Sequence, residues 1–349
     1  MSLLTPQQLR ELNTQIKPKY EKGLALYLPR WDWKEIADKD KCSQGEVILH
    51  WLDQCPGIQD WTNVSKEITN FSERGMRIRI RDQSIVAGLK LKELERGNAR
   101  NLRISLQYVS NGAAKAYHDL VASALINGGV SVSPLHPKPD TYAGYDGKGL
   151  FGDHPINPDL DLTAKITLPV SDAKVINTQS NLVTAAAMSP AAVAKVRQAA
   201  RNFRDPRGRN LGVEINTFIV PPQLAEATYE AIGAKLIATF PNATSGATKE
   251  NVNATISYFS NGQMVMVVPE LDVGTVASQT SWYGCDRMHS LGKPFQIMEE
   301  KPLTFGTNLG QVAAQAETQG IMTEDVLFSA TGRMTGYATL WFLIVKATA

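Results

Sequence analysis

A single segment restricts the fold more than any other. Between Asn101 and Asn127, the residues Leu102, Leu106, Val109, Ala113, Ala116 and Leu120 fall near one stripe of a helix, and Leu125 and Ile126 continue it. Gly128-Gly129 then stops the helix, because glycine takes the helix-ending backbone conformation without a Cβ penalty. At 1.5 Å per residue the helix spans roughly 40 Å. A spine of that length can organise a flat, plate-like subunit.

The segments before it alternate in character. Leu4, Leu9, Leu12 and Ile16 recur at helical spacing after the helix start Thr5-Pro6, and Pro18 is expected to end that helix. Beyond it, Tyr27, Trp31 and Trp33 mix with charged residues. Residues 1–45 therefore read either as an arm laid on a neighbour or as a helix packed on its own domain. Trp51 to Trp61 is a corner built around Pro56-Gly57. Met76 to Arg81 alternates strictly, with Arg77, Arg79 and Arg81 on one face and Met76, Ile78 and Ile80 on the other. Ile85 to Leu94 alternates again, Leu89 and Leu91 against Lys90 and Lys92, and Asp82-Gln83-Ser84 can supply a turn between the two. The expectation is a long hairpin with a cationic face. Such a hairpin is marginal alone in water, so it must lie on its own domain or on a neighbouring subunit. Its arginines suit a solvated or salt-bridged face better than a phosphate site.

After the long helix, residues 131–165 are rich in Pro, Gly and Asp and read as a loop. Helices are expected at Pro190–Phe203 and Gln223–Leu236. Strands are expected at Ile215–Val220, at Gln263–Val268, around Trp282 and over Phe295–Phe305. Thr339 to Lys346 is apolar enough to lie in a sheet core. The result is an α+β pattern without regular β-α-β alternation.

Lys and Arg total 36 against 34 Asp and Glu, a net charge of +2, which does not suggest a dedicated nucleic-acid binder. A balanced surface is compatible with meeting copies of itself. Cys42, Cys55 and Cys285 are few and widely spaced, so a reducing compartment is the simpler reading and no disulfide framework is expected. Met1 to Arg10 does not read as a signal peptide, and the apolar run Tyr337–Val345 is far shorter than the ~20 residues of a membrane span.

No arrangement for chemistry stands up. Phosphate-loop, nucleophile-elbow and H-E-x-x-H motifs are missing. The glycines from Gly144 to Gly149 lack the hydroxyl residue and the spacing of a phosphate cradle. His50, His118, His136, His154 and His289 are too scattered to suggest a metal pair. His118-Asp119 and Asp153-His154 are the two pairings that an enzyme could use, and a turn built from Asp, Pro and Gly explains the second equally well. The expectation is no catalytic residue, no cofactor and no metal.

The order of motifs then resembles a known family. Trp51-Leu52 with Pro56-Gly57 and Trp61 comes first, followed by the alternating segment from Met76 to Arg96 with Gly88 inside it. Next come Tyr145-Asp146-Gly147, Phe151 and Asp153-His154-Pro155, then Val175-Ile176-Asn177 and the Ser189-Pro190 helix. Phe218 to Leu224, Pro294-Phe295, Gly332-Arg333, Gly336-Tyr337 and Trp341 complete the series. From about residue 46 to 346 this resembles the major head subunit of phage Mu and Mu-like prophages; residues 1–45 match poorly. The resemblance implies the Hong Kong 97-like fold of tailed-phage shells. On this chain it implies an N-terminal arm at 1–45, an extended hairpin loop at 62–96 and an axial domain at 170–280. A peripheral domain would be built from 46–61, 97–169 and 281–349, with a spine helix at about 98–128. It also implies a virion protein that forms hexamers and pentamers around double-stranded DNA without reading its sequence. Such a protein is assembled in the bacterial host's cytoplasm, away from membranes, with scaffolding protein, maturation protease and portal as separate chains. Arg77, Arg79, Arg81, Lys90 and Lys92 are the candidate intersubunit contacts. The alternatives are an encapsulin-type compartment, a hydrolase using His118, Asp119, Asp153 or His154, and another phage part such as a tail or decoration protein.

Overall fold

The computed structural model describes residues 5–50, 75–90, 99–129, 144, 146–155, 178–205, 209–233, 236–239, 253–256, 263–319 and 325–349. The first helix, α1 (Pro6–Leu26), opens with a capping box in which Thr5 and Gln8 each accept from the other's backbone N–H. Pro18 does not end it. The carbonyl that a proline orphans belongs to Thr14, which is exposed and open to water. Meanwhile Leu9, Ile16 and Tyr20 are buried on the other face. At roughly 1.5–3 kcal/mol each, three such side chains outweigh an interior proline's cost of about 3 kcal/mol.

A 3-10 turn at Trp33–Glu35 leads into β1 (Ala37–Lys41) and β2 (Glu46–His50); β3 (Gly75–Arg79) and β4 (Asp82–Lys90) precede the long helix α2 (Ala99–Ile126). Short strands β5 (Asp153–Pro155), β6 (Thr178–Ser180) and β7 (Leu182–Val183) lead to α3 (Pro190–Arg201) and β8 (Thr217–Val220). Then come α4 (Ala225–Gly233), β9 (Leu236–Thr239), β10 (Asn253–Ile256), β11 (Met264–Val267), α5 (Val276–Thr280) and β12 (Trp282–Cys285). The chain finishes with β13 (Phe295–Thr307), α6 (Leu309–Gln319), β14 (Asp325–Ala338) and β15 (Ile344–Ala347). Helix α4 ends three residues before Leu236, which instead opens a strand. Helix α6 occupies a stretch that the motif order left blank.

Two sheets carry the architecture. One has the order β1-β13-β14-β4, antiparallel except where β1 runs parallel to β13. The other has the order β11-β8-β12-β15-β7. This corrects two expectations. Strands β3 and β4 do not pair with each other: β3 pairs with β2, while β4 pairs with β14. Alternation fixes which face a residue takes but not which strand lies beside it. The segment 281–349 is also divided. Strands β13 and β14 lie in the four-stranded sheet, but β12 and β15 are central strands of the five-stranded one.

Helix α2 spans both cores. Leu102, Leu106, Val109 and Ala113 pack with α1, α6, β4 and β14, whereas Leu120, Val121, Ala124 and Leu125 join the core of the five-stranded sheet. Its 28 residues correspond to roughly 42 Å. It ends as expected, with Gly128 and Gly129 at φ 70° and 132° and the Gly129 N–H donating to the Ala124 carbonyl at 2.7 Å. The helix presses on β14 at Gly336, where a Cβ would stand 3.0 Å from the Leu120 carbonyl oxygen. Polar ties fix it at two further points. Lys115 bridges to Glu270 at 3.0 Å, and the Tyr117 hydroxyl donates to Glu299 at 2.5 Å. Burial and then the Glu299 carboxylate push the Tyr117 hydroxyl upward, so it stays a donor.

The turn at residues 146–155 is locked to the C-terminal segment. His154 Nδ1–H donates to Asp146 at 2.6 Å, both side chains being 1% exposed. The imidazole stacks on Trp341, with ring centroids 4.1 Å apart and planes within 1°. The Asn181 amide faces the carbonyls of Leu150, Trp341 and Ile344 at 2.7, 2.9 and 3.1 Å. Burial alone would raise the Asp146 carboxyl, but the hydrogen bond and charge of His154 and the Lys148 N–H outweigh it and hold the group below its ordinary value.

Three expected outcomes rest on this packing. Gly336→Val forces α2 away from β14 and lowers stability by roughly 1–3 kcal/mol in urea unfolding; an unchanged midpoint would show that the close crossing constrains nothing. His154→Ala strands a buried carboxylate and costs about 3–5 kcal/mol. Because the folded Asp146 pKa is depressed, its contribution is complete above the unfolded value of about 4 and is lost as pH falls through the lower folded value. Unfolding free energies measured below about pH 4 should therefore fall more steeply for the parent protein than for Asp146→Asn.

Candidate assembly surface

The arginine-bearing strand belongs to a two-stranded ribbon, β2 with β3, in the register Glu46↔Arg79, Val47↔Ile78, Ile48↔Arg77 and Leu49↔Met76. Its inner face places Met76 and Ile78 against Met298 and Tyr337, with Val47 and Leu49 partly buried beside them. The outer face presents Glu46, Ile48, Arg77 and Arg79, and Ile48 is 51% exposed. Arg77 reaches Glu46 at 3.2 Å. A pair so exposed is worth about 0–1 kcal/mol, so it orients the side chains more than it stabilises the fold.

The five candidate contacts do not form one row. Arg77 and Arg79 stand on the ribbon's outer face. Arg81 lies beyond the ribbon and is half-buried; its backbone N–H donates to Thr335 Oγ1 at 3.1 Å and its carbonyl accepts from Met334. The chain crosses there from ribbon to sheet, which takes the third arginine out of alternation. Lys90 is exposed at the far end of β4, opposite Asp325 in register. Lys92 lies outside the described residues, as does the Trp51–Trp61 corner. Sequence reasoning missed the partner strand β2. Its alternation was available in Glu46-Val47-Ile48-Leu49, but the apolar Ile48 on the outer face obscured it.

The pairings that an enzyme might use are structural. His154 faces Asp146 and not Asp153, whose side chain is exposed. Neighbours on a strand point to opposite faces, so adjacency in sequence separates them in space. His118 is buried on α2, with Nε2 2.9 Å from the Trp31 carbonyl and its ring edge-on to Trp31. Asp119 is exposed and pairs with Lys115 at 3.1 Å. Burial pushes the Cys285 thiol well above its ordinary range, leaving it unreactive. Among the described residues no group of three His, Cys, Asp or Glu side chains is placed to hold a metal ion, and no helix is long and apolar enough to cross a membrane.

Comparison with known proteins adds a family likeness. Residues 9–178 match the model of the family described as Mu-like prophage major head subunit gpT. The match starts inside α1, so most of residues 1–45, left outside the resemblance by their sequence, fall within it. No curated protein matches the chain. Among solved structures, the procapsid of bacteriophage JBD30 is similar with a TM-score of 0.49 and 17% identity, over 99% of this chain and 76% of that one. The capsid of Myoviridae phage XM1 has a TM-score of 0.46 and 10% identity, over 90% of each chain. The holo-SrpI encapsulin complex from Synechococcus elongatus PCC 7942 has a TM-score of 0.46 and 8% identity, over 93% of this chain and 88% of that one. Residues 9–178, which hold most of α1, the ribbon, β4 and the long helix, are thus similar to the Mu-like prophage major head subunit gpT family.

Proposed function

We propose that this protein is the structural major capsid subunit of a tailed-phage head, a shell component and not an enzyme. The observation that carries this reading is the match of residues 9–178 to the Mu-like prophage major head subunit gpT family. In this reading the subunit has the Hong Kong 97-like arrangement and self-assembles as hexamers and pentamers into an icosahedral shell around double-stranded DNA. Scaffolding protein, maturation protease and portal are separate chains, and the shell is built in the host cytoplasm before it becomes part of the virion. A net charge of +2 suits a wall that encloses DNA without gripping particular sequences.

The expected domains are redrawn on the observed strands. β3, within the extended loop expected at 62–96, pairs with β2, so the ribbon is read as the base of that loop. The peripheral domain takes the four-stranded sheet with α1, α2 and α6. The axial domain takes the five-stranded sheet with α3 and α4, and includes β12 and β15. A ribbon with one buried and one exposed face suits contact with a neighbouring subunit, where exposed charges set register and partner choice more than affinity.

Two experiments test the reading. Negative-stain electron microscopy of the protein, co-expressed with its neighbouring genes and sized by light scattering, should show closed shells, tubes or capsomer rings. Particles filled with a protein cargo would instead indicate a compartment shell, and a stable monomer under those conditions would overturn both. Arg77→Glu with Arg79→Glu should reduce the assembled fraction about tenfold, equivalent to roughly 1.4 kcal/mol per contact, while the thermal midpoint of the unassembled subunit stays unchanged. Normal shells from this double variant would remove the ribbon from the contact.

A further inference from the structure

We infer that the groove between α1 and α2 is a docking site for an acidic amphipathic helix of a separate protein. The inference does not depend on the ribbon's role. The two helices touch closely at Gly23, where a Cβ would overlap the Ser110 side chain. Along the C-terminal half of α1 and the N-terminal half of α2 lies a groove of about 1000 Å³. Leu102 and Leu106 form its floor, and Leu26 and Leu28 stand at its side, 70% and 87% exposed. Isolated exposed leucines need no explanation, but two beside an apolar cleft form a patch of the kind that marks an interaction surface.

The charge around the groove selects the occupant. Lys19, Lys22, Arg100 and Arg103 line it and, among the described residues, no carboxylate does. Among the described residues none of these four cations makes an ion pair. A partner must therefore bring negative charge for the rim and apolar side chains for the floor. A helix carrying leucines at i, i+3, i+4 and i+7 with glutamates on its flanks meets both demands, in the helix-in-groove mode. A DNA backbone would satisfy the cations but leave Leu26 and Leu28 uncovered. A second copy offering the same surface would bring like charges together.

The test uses the full-length subunit and a fluorescein-labelled synthetic peptide of about 18 residues, five helical turns, with a leucine stripe and glutamates elsewhere. Fluorescence anisotropy should show saturable binding of this peptide and none of a matched peptide with lysine for glutamate. Lys22→Glu, Arg103→Glu and Leu28→Ser, all at exposed positions, should each weaken binding at least about fivefold, roughly 1 kcal/mol, with unchanged circular dichroism. Failure of the glutamate peptide to bind, or binding indifferent to all three substitutions, would overturn the proposal. So would a duplex DNA probe that binds through Lys22 and Arg103 where the peptide does not, or a Leu28→Ser variant that dissociates a dimer of the parent protein.

Discussion

The structure depends on one rod shared by two hydrophobic cores. Helix α2 gives Leu102, Leu106, Val109 and Ala113 to one core and Leu120, Val121, Ala124 and Leu125 to the other. Neither sheet contacts the rest of the fold through a flexible connection alone, because a helix bends only gently over such a length. Contact at Gly336 sets the distance between helix and sheet, and Lys115 and Tyr117 set its rotation by reaching Glu270 and Glu299. Burial opposes the charge on Glu270, but Lys115 and the Trp31 indole N–H outweigh it, so the ion pair persists at the seam between helix and five-stranded sheet. Glu299 is buried too, and Lys39 at 2.8 Å supplies its counter-charge from β1.

How much of this was legible in the chain varies with the range of the forces involved. The long helix was readable because its signal is local: a stripe at helical spacing and two glycines at its end. The apolar run at 339–346 is readable as a core strand, but its place in the second sheet is not. Pro18 misled because the rule against interior prolines counts one lost hydrogen bond and ignores the three buried side chains around it. The pairing of β3 with β4 misled for a different reason. Each strand's faces were correct, with Met76, Ile78 and Leu89 buried, but partners were chosen by proximity in sequence. The true partner of β4 is β14, far along the chain, and its register is held by tertiary packing that no local pattern encodes.

The candidate surface shows the same division. Exposure of Arg77 and Arg79 follows from alternation, whereas the loss of Arg81 from their row follows from a crossing between sheets that the sequence does not announce. His154 stands beside Asp153 in sequence, yet its partner is Asp146 on the preceding turn. The groove beside α1 was invisible because it requires that helix to run past Pro18; a helix ended there would place Lys22, Leu26 and Leu28 elsewhere.

The position of β15 has a consequence for synthesis. It lies inside the five-stranded sheet, between β12 and β7, although it is made after every other strand. Until residues 344–347 are made, that sheet has a gap between β12 and β7, and the facing edges of those two strands wait unpaired. The pairing of β2 with β3 and the contact of α1 with α2 need nothing beyond residue 126, whereas the packing of α2 on β14 and of the ribbon on Met298 and Tyr337 waits for residues made much later. The five-stranded sheet therefore cannot close before residues 344–347 are made. Any surface that needs the finished five-stranded sheet stays unusable until then.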